Sequence, residues 1–265
     1  MNIFEAIVLG AVQGLTEFLP VSSSGHLVLL QKIFSISLPV LLFDTMVHVG
    51  TLIAVVIVLW ADIRAILRRI VQPLTGCLIL ATVPTVIVAL IFKDMIEEAF
   101  RSAAFLGFSF LFTALALLVS EQVSRRSLNT KPQAAMNWFD ALLIGICQAI
   151  AIIPGVSRSG LTLSGALSRR LDRDFAARFV FLLSIPAILG ALVLQLKDIA
   201  GGDGAAGIGP APIIAGTLTA ALVGFFAIKL MLRIVKTRSL RGFAFYVASL
   251  GVLVLVDQYF THFFM

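Results

Sequence analysis

Apolar runs of about 20 residues recur along this chain, and an α-helix rising 1.5 Å per residue needs about that length to cross some 30 Å of hydrocarbon. They fall at about 41–60, 76–92, 103–120, 178–197, 211–233 and 243–263. Lipid offers no hydrogen-bond partners, so a spanning chain must satisfy its backbone internally, as helices or as a closed barrel. Barrel strands alternate apolar and polar residues, and no such alternation is visible. Composition agrees: 60% of the 265 residues are apolar and 13% are charged, against about 25% charged in a soluble domain. Mean hydropathy is +1.06. The expected fold is therefore all-α, a polytopic integral membrane protein with six transmembrane helices. Pro84 and Pro186 interrupt two of them, which membrane helices tolerate.

The net charge of +6 does not point to nucleic acid, because no soluble stretch is long enough to hold a binding module. Membrane lipid is the expected surrounding, and the basic residues read as orientation charge. Cys77 and Cys147 lie in apolar segments without metal-ligand spacing and read as small core residues. The N-terminal run lacks a basic leader and is interrupted by Glu5 and Glu17, so it is expected to be retained rather than cleaved.

Two further apolar regions, 1–34 and 137–168, each consist of two short arms around a Ser/Gly/Pro break. They also match each other. Residues 9–25, LGAVQGLTEFLPVSSSG, align without gaps on residues 144–160, IGICQAIAIIPGVSRSG, at an offset of 135. Gly10, Gln13, Val21, Ser22, Ser24 and Gly25 recur as Gly145, Gln148, Val156, Ser157, Ser159 and Gly160. Three spans separate the copies, so the second enters the membrane upside down, the inverted-topology repeat of many transporters. The repeats would cover roughly 1–120 and 137–265 of a single membrane domain spanning 1–265. With loop 61–75 inside, loops 61–75, 121–137, 169–178 and 229–242 hold fifteen of the 20 basic residues. Lys32, Lys93, Arg101 and Lys197 remain outside, and Arg158 lies in the second break. That asymmetry fits the positive-inside rule. Arms this short favour two re-entrant helical hairpins whose tips meet near the midplane, where broken backbone must be buried in protein or line a wet cavity.

Meeting tips would gather chemistry. Ser22, Ser23, Ser24 and Gly25 begin one arm, and Ser157, Arg158, Ser159 and Gly160 begin the other. Serine caps helices, and helix N-termini present free N–H groups and a positive dipole end. With a guanidinium added, the environment suits an anion, above all phosphate. The alternative is that the serines only cap and the glycines only allow close packing. An intramembrane arginine is expensive and usually functional. Glu17, four residues after Gln13 on the same helix face, has two natural uses: to hold a divalent cation or to act as a general base. His26 follows the serines and is a candidate acid or base. Asp44 and His48 share one face of a span, either lining the same cavity or forming a plain hydrogen-bonded pair. Gly10 and Gly14 form a GxxxG pair that reads as tight helix packing.

QGLTEFLPVSSSGHL and PGVSRSG together resemble the two signature motifs of bacterial undecaprenyl-diphosphate phosphatases of the bacitracin-resistance type, and the likeness extends over the whole chain in length, spacing and span count. The resemblance implies hydrolysis of a C55 polyprenyl diphosphate to the monophosphate, recycling the lipid carrier of peptidoglycan synthesis. It implies a multi-pass protein of the bacterial cytoplasmic membrane, a site opening to the extracytoplasmic side, and dependence on a divalent cation, Mg²⁺ or Ca²⁺. By motif position Glu17, Ser23, His26 and Arg158 would carry the chemistry. Ser22, Ser24, Gly25, Ser157, Ser159 and Gly160 would hold the substrate, and Glu17 with Gln13 the metal. Many members have Glu where this chain has Gln13; an amide oxygen can ligate a hard cation but cannot be a base. A covalent phosphoserine and direct water attack both stay open. The expected partners are the polyprenyl diphosphate lipid and membrane lipid, with no nucleic acid; a homodimer is compatible with such a chain. The rival reading is a transporter or flippase of polyprenyl phosphate, which needs an anion site but no nucleophile, base and metal together.

Overall fold

The computed structural model describes residues 1–36, 40–102, 104–126, 130–200 and 208–262. Positions 103 and 263, expected as outer ends of two runs, and the side chains of Arg101, Arg126 and Lys197 lie outside the described residues. Among those described, the chain folds into twelve α-helices and no strand. Six are long and apolar enough to cross a membrane: α3 (Leu41–Val58), α5 (Pro73–Ile91), α7 (Leu106–Arg126), α10 (Arg173–Ala200), α11 (Pro210–Thr237) and α12 (Arg241–Val256), the last continued by a π turn at Asp257–Thr261. The two broken regions become α1 (Ile3–Thr16) with α2 (Ser23–Ile33), and α8 (Trp138–Ile150) with α9 (Arg158–Ser168). Two short helices, α4 (Trp60–Arg68) and α6 (Lys93–Ser102), occupy stretches expected to be loops. In α4 the cause is periodicity: Ile63, Ile66 and Leu67 share one face while Arg64 and Arg68 take the other.

The 135-residue offset survives as repeated local structure. Asn2 and Glu5 form a capping box at the start of α1, and Asn137 and Asp140 form one at the start of α8. Ser22 caps α2 by accepting from the N–H of Gly25, and Ser157 caps α9 by accepting from that of Gly160. The repeat thus begins earlier than residue 9, at Asn2.

Packing exchanges the halves. α1 lies along α11, and α8 lies along α5. A Cβ on Gly10 would come 2.3 Å from the carbonyl oxygen of Gly216, and one on Gly145 would come 2.5 Å from that of Ala81. Positions 10 and 145 differ by 135, as do 81 and 216, so this is one contact made twice with the halves swapped. Gly14 continues it against Ala220 and Gly224. The GxxxG pair therefore serves close backbone approach, where dispersion drives helix association in place of the hydrophobic effect. Cys77 is buried, and the Cys147 sulfur packs on Gly165, so both are packing residues.

Charges collect at one end. Fully buried Asp140 accepts from Lys131 Nζ at 3.0 Å and Arg169 Nε at 2.6 Å, tying both ends of the second broken region together. Buried Glu121 accepts from Arg125 Nε at 2.9 Å, Arg173 Nη2 at 2.8 Å and the Leu240 amide at 3.4 Å, which binds α7 to α10 and the start of α12.

Substitution separates the packing glycines from the rest. Gly10→Ala and Gly145→Ala should each destabilise the detergent-solubilised protein by about 1–3 kcal/mol, the usual range for overpacking. Gly76→Ala, where a Cβ meets nothing within 4 Å, should be neutral or stabilising. Thermal unfolding of the three variants checks this.

Candidate functional site

Each break is built so that a new helix begins beside it. Thr16 ends α1 with its hydroxyl bonded to the Val12 carbonyl, and Glu17 to Val21 run outside the helical pattern. Ser22 then takes the left-handed region, φ 72° and ψ 96°. A non-glycine residue there costs about 1–3 kcal/mol and persists only where its surroundings impose it. The second break turns at Gly155, φ 83°, where a Cβ would also strike Leu106; this position requires glycine.

The two breaks touch. Ser159 Oγ donates to the Leu19 carbonyl at 2.9 Å, and the Gly155 amide approaches Ser24 Oγ at 3.4 Å. Arg158 Nη2 donates to Glu17 Oε1. The first break lies beside the middle of the 28-residue α11, where a Cβ on Gly224 would meet the Phe18 ring. The N-terminal turns of α2 and α9 therefore both border this contact, each with first-turn N–H groups that the helix leaves unbonded.

Glu17 is the hub. It is 7% exposed. Oε1 accepts from Arg158; Oε2 accepts from Ser23 Oγ at 2.7 Å and Gln13 Nε2 at 3.0 Å. His48 Nε2 stands 3.8 Å from Oε2. Its Nδ1 donates to the Asp44 backbone carbonyl at 2.6 Å, while the Asp44 carboxylate accepts from Gln31. Asp44 and His48 thus do not pair side chain to side chain, and His48 joins the Glu17 cluster. Two buried atoms here have no hydrogen-bond partner: Gln13 Oε1 and Arg158 Nη1. One is an acceptor and the other a donor.

The structure brings Glu17, Gln13, Ser23 and Arg158 together, with Ser24 at the seam. His26 turns elsewhere: Nδ1 lies 2.7 Å from the Ser22 carbonyl and Nε2 lies 2.7 Å from the Tyr246 hydroxyl. Ser22, Ser157 and Ser159 are buried, and their hydroxyls serve the two caps and the bond between breaks. Gly25 packs against Phe110 and Gly160 against its own cap, Ser157. Of the two alternatives for His48, a place in the same cavity and a plain pair with Asp44, the structure favours the first; Tyr246 is not among the residues expected at the site. His48 had a signal, its four-residue spacing from Asp44. Tyr246 had only its rarity, as one of two tyrosines, in an otherwise apolar run.

Among the described residues no group of three His, Cys, Asp or Glu gathers as a metal cage. A hard cation still fits: Glu17 and the unpartnered Gln13 Oε1 offer oxygen ligands, and Mg²⁺ sites commonly complete themselves with substrate phosphates and water. Beside the cluster, a cleft of about 590 Å³ runs between the end of α1 and the α11–α12 corner, walled by Leu15, Leu19, Val21, Phe243 and Tyr246.

Comparison with known proteins places these features in company. A family model described as Bacitracin resistance protein BacA matches residues 6–253. An Undecaprenyl-diphosphatase from Carboxydothermus hydrogenoformans is 49% identical over 259 residues, 97% of this chain and 98% of the relative. Undecaprenyl-diphosphatase 4 from Bacillus thuringiensis subsp. konkukian is 42% identical over 259 residues, covering 98% of each. An Undecaprenyl-diphosphatase from Methanosphaera stadtmanae is 38% identical over 278 residues, covering 97% of this chain and 98% of the relative.

The ion pair makes its own prediction. Arg158→Ala leaves the Glu17 carboxylate buried without its cation and should lower stability by about 3 kcal/mol. Glu17→Gln combined with Arg158→Gln replaces both charges by neutral groups and should recover part of that loss. Thermal unfolding in detergent measures both; equal losses would show that the pair's charges are not coupled.

Proposed function

We infer from its membership of the Bacitracin resistance protein BacA family, to which this chain belongs, that the protein is an undecaprenyl-diphosphate phosphatase. It removes the terminal phosphate of undecaprenyl diphosphate and returns the monophosphate carrier to cell-wall synthesis, which confers resistance to bacitracin. The observation that carries a mechanism is the 2.7 Å hydrogen bond from Ser23 Oγ to Glu17. A hydroxyl held against a carboxylate is a nucleophile with its base in place.

Ser23 Oγ attacks the terminal phosphorus while its proton passes to Glu17 Oε2. The bond from that phosphorus to the bridging oxygen breaks, and undecaprenyl monophosphate leaves. Glu17 gives its proton to the departing monophosphate. Water then passes a proton to Glu17 as it attacks the phosphoserine, the Oγ–P bond breaks, and Ser23 Oγ recovers that proton as inorganic phosphate departs. Arg158 uses Nη2 to hold Glu17 and offers Nη1 to a phosphate oxygen, joined by the first-turn N–H groups of α2 and α9. In this reading Glu17, rather than His26, receives the nucleophile's proton. Gln13 Oε1 and Glu17 would hold a Mg²⁺ or Ca²⁺ ion together with phosphate oxygens. Bound there, the ion neutralises charge on the diphosphate. The first isoprene units lie in the apolar cleft beside Tyr246.

Membrane placement follows from arm length and charge. α1, α2, α8 and α9 have 14, 11, 13 and 11 residues. At 1.5 Å per residue none exceeds about 21 Å, short of a 30 Å span. We therefore take each pair as a re-entrant hairpin in the bacterial cytoplasmic membrane, one entering from each side. The basic loops face the cytoplasm. His48 lies in the half of α3 nearer Leu41, which that orientation puts outside, so the site opens to the extracytoplasmic face.

Purified protein in detergent, where transport is abolished, should release phosphate from undecaprenyl diphosphate, and EDTA should suppress the release. Glu17→Gln should lower kcat by about 10²–10⁴-fold. Substrate labelled with ³²P in its terminal phosphate should leave label on the quenched wild type and none on Ser23→Ala. Label surviving in Ser23→Ala would remove the serine from the chemistry.

A further inference from the structure

We infer that Tyr246, from the second half of the chain, is a positioning residue for Ser23 and acts through His26. Four observations join. The Tyr246 hydroxyl lies 2.7 Å from His26 Nε2, and the two rings stack at 5.7 Å with 16° between their planes. Phe110 also packs edge-on against the imidazole at 5.7 Å, restricting its orientation. His26 Nδ1 lies 2.7 Å from the Ser22 carbonyl oxygen. Ser22 holds a positive φ that serine rarely adopts.

The direction of these bonds follows from what each atom can do. A carbonyl oxygen only accepts, so His26 Nδ1 carries the hydrogen. In the neutral ring Nε2 then has only a lone pair, and the tyrosine hydroxyl donates to it. The chain therefore runs from Tyr246 O–H to Nε2, and from Nδ1–H to the Ser22 carbonyl. That carbonyl belongs to the peptide plane joining Ser22 to Ser23. Fixing the plane fixes the direction of the Ser23 side chain, whose hydroxyl must meet Glu17. Both ring nitrogens are thus committed to structure, and neither is bonded to Ser23 or Glu17. Tyr246 also walls the apolar cleft, so an occupant of the cleft touches the residue that sets the nucleophile.

The inference rests on Ser23 as attacking group, and its test has an arm independent of activity. In ¹⁵N-histidine-labelled protein, the His26 ring is identified by its loss in His26→Asn. It should show a protonated Nδ1 and a bare Nε2 in wild type, and in Tyr246→Phe an Nε2 resonance shifted by loss of the hydroxyl's hydrogen bond. A wild-type ring protonated at Nε2 overturns the inference even if no phosphatase activity is found; absence of activity with the expected tautomer sinks the enzymatic reading alone. In kinetics, Tyr246→Phe keeps the ring and should lower kcat about tenfold, the scale of one lost hydrogen bond, with KM little changed. His26→Asn keeps an N–H where Nδ1 stood and should retain far more activity than His26→Gln. Adding Tyr246→Phe to His26→Asn should cost nothing further. Equal losses in His26→Asn and His26→Gln, as a proton-shuttling ring would give, or a full tyrosine effect in the His26→Asn background, would overturn it.

Discussion

The ion pair between Glu17 and Arg158 joins two interruptions 141 residues apart in sequence, and the site exists only because they are held together. A buried carboxylate without partners is very costly. Glu17 has three hydrogen-bond donors, Arg158, Ser23 and Gln13, with His48 nearby. Buried ion pairs are poor sources of net stability compared with apolar packing. Their value here is geometric: one carboxylate fixes the Ser23 hydroxyl with one oxygen and the arginine with the other. The neutral bonds across the seam, from Ser159 to Leu19 and from Gly155 to Ser24, hold the same register.

A repeated scaffold carries an unrepeated site. Ser23 and Arg158 occupy equivalent positions under the 135-residue offset, so the same place in each copy supplies the hydroxyl bonded to Glu17 in one and the guanidinium paired with it in the other. Glu17 corresponds to Ile152 and His26 to Leu161; the carboxylate and the imidazole have no counterparts. The backbone diverges at the same point. Ser22 takes φ 72°, whereas Ser157 takes φ −76° and β-region geometry. The strained copy is the one preceding Ser23, the proposed attacking group, which fits strain collecting where function needs an exact direction.

Much of the scaffold was legible because lipid removes choices. Long apolar runs without alternation leave helices only, and the six expected spans appear with ends shifted by a few residues, as at Leu106–Arg126. The repeat was legible where Gly10 and Gly145, or Ser22 and Ser157, keep their identities; its earlier start at Asn2 and Asn137 was available but lay before the match that was read. α4 and α6 were missed because polar residues hid a 3.6-residue periodicity. At the site, Glu17, Ser23, Gln13 and Arg158 stand out as polar groups among apolar ones. Tyr246 did not, since its meaning depends on α12 lying against α7 and so bringing it to His26, a contact 220 residues apart in sequence. The use of the Ser22, Ser157 and Ser159 hydroxyls in caps and seam was equally hidden, because composition cannot say which of several hydroxyls a fold consumes.

That division of labour explains how an anion can be accepted without dismantling the structure. If Arg158 spent its whole guanidinium on Glu17, a phosphate would have to break the pair that joins the hairpins. Instead Nη1 is buried and unbonded, as is Gln13 Oε1. A buried polar atom without a partner costs free energy, and in the proposed reading a phosphate oxygen and a cation would supply the partners. In that reading the clamp is already oriented before the substrate enters, the condition under which fixed dipoles and charges stabilise a transition state most effectively. Close glycine contacts between α1 and α11, and between α8 and α5, let the surrounding helices hold these unsatisfied atoms in place rather than relax around them.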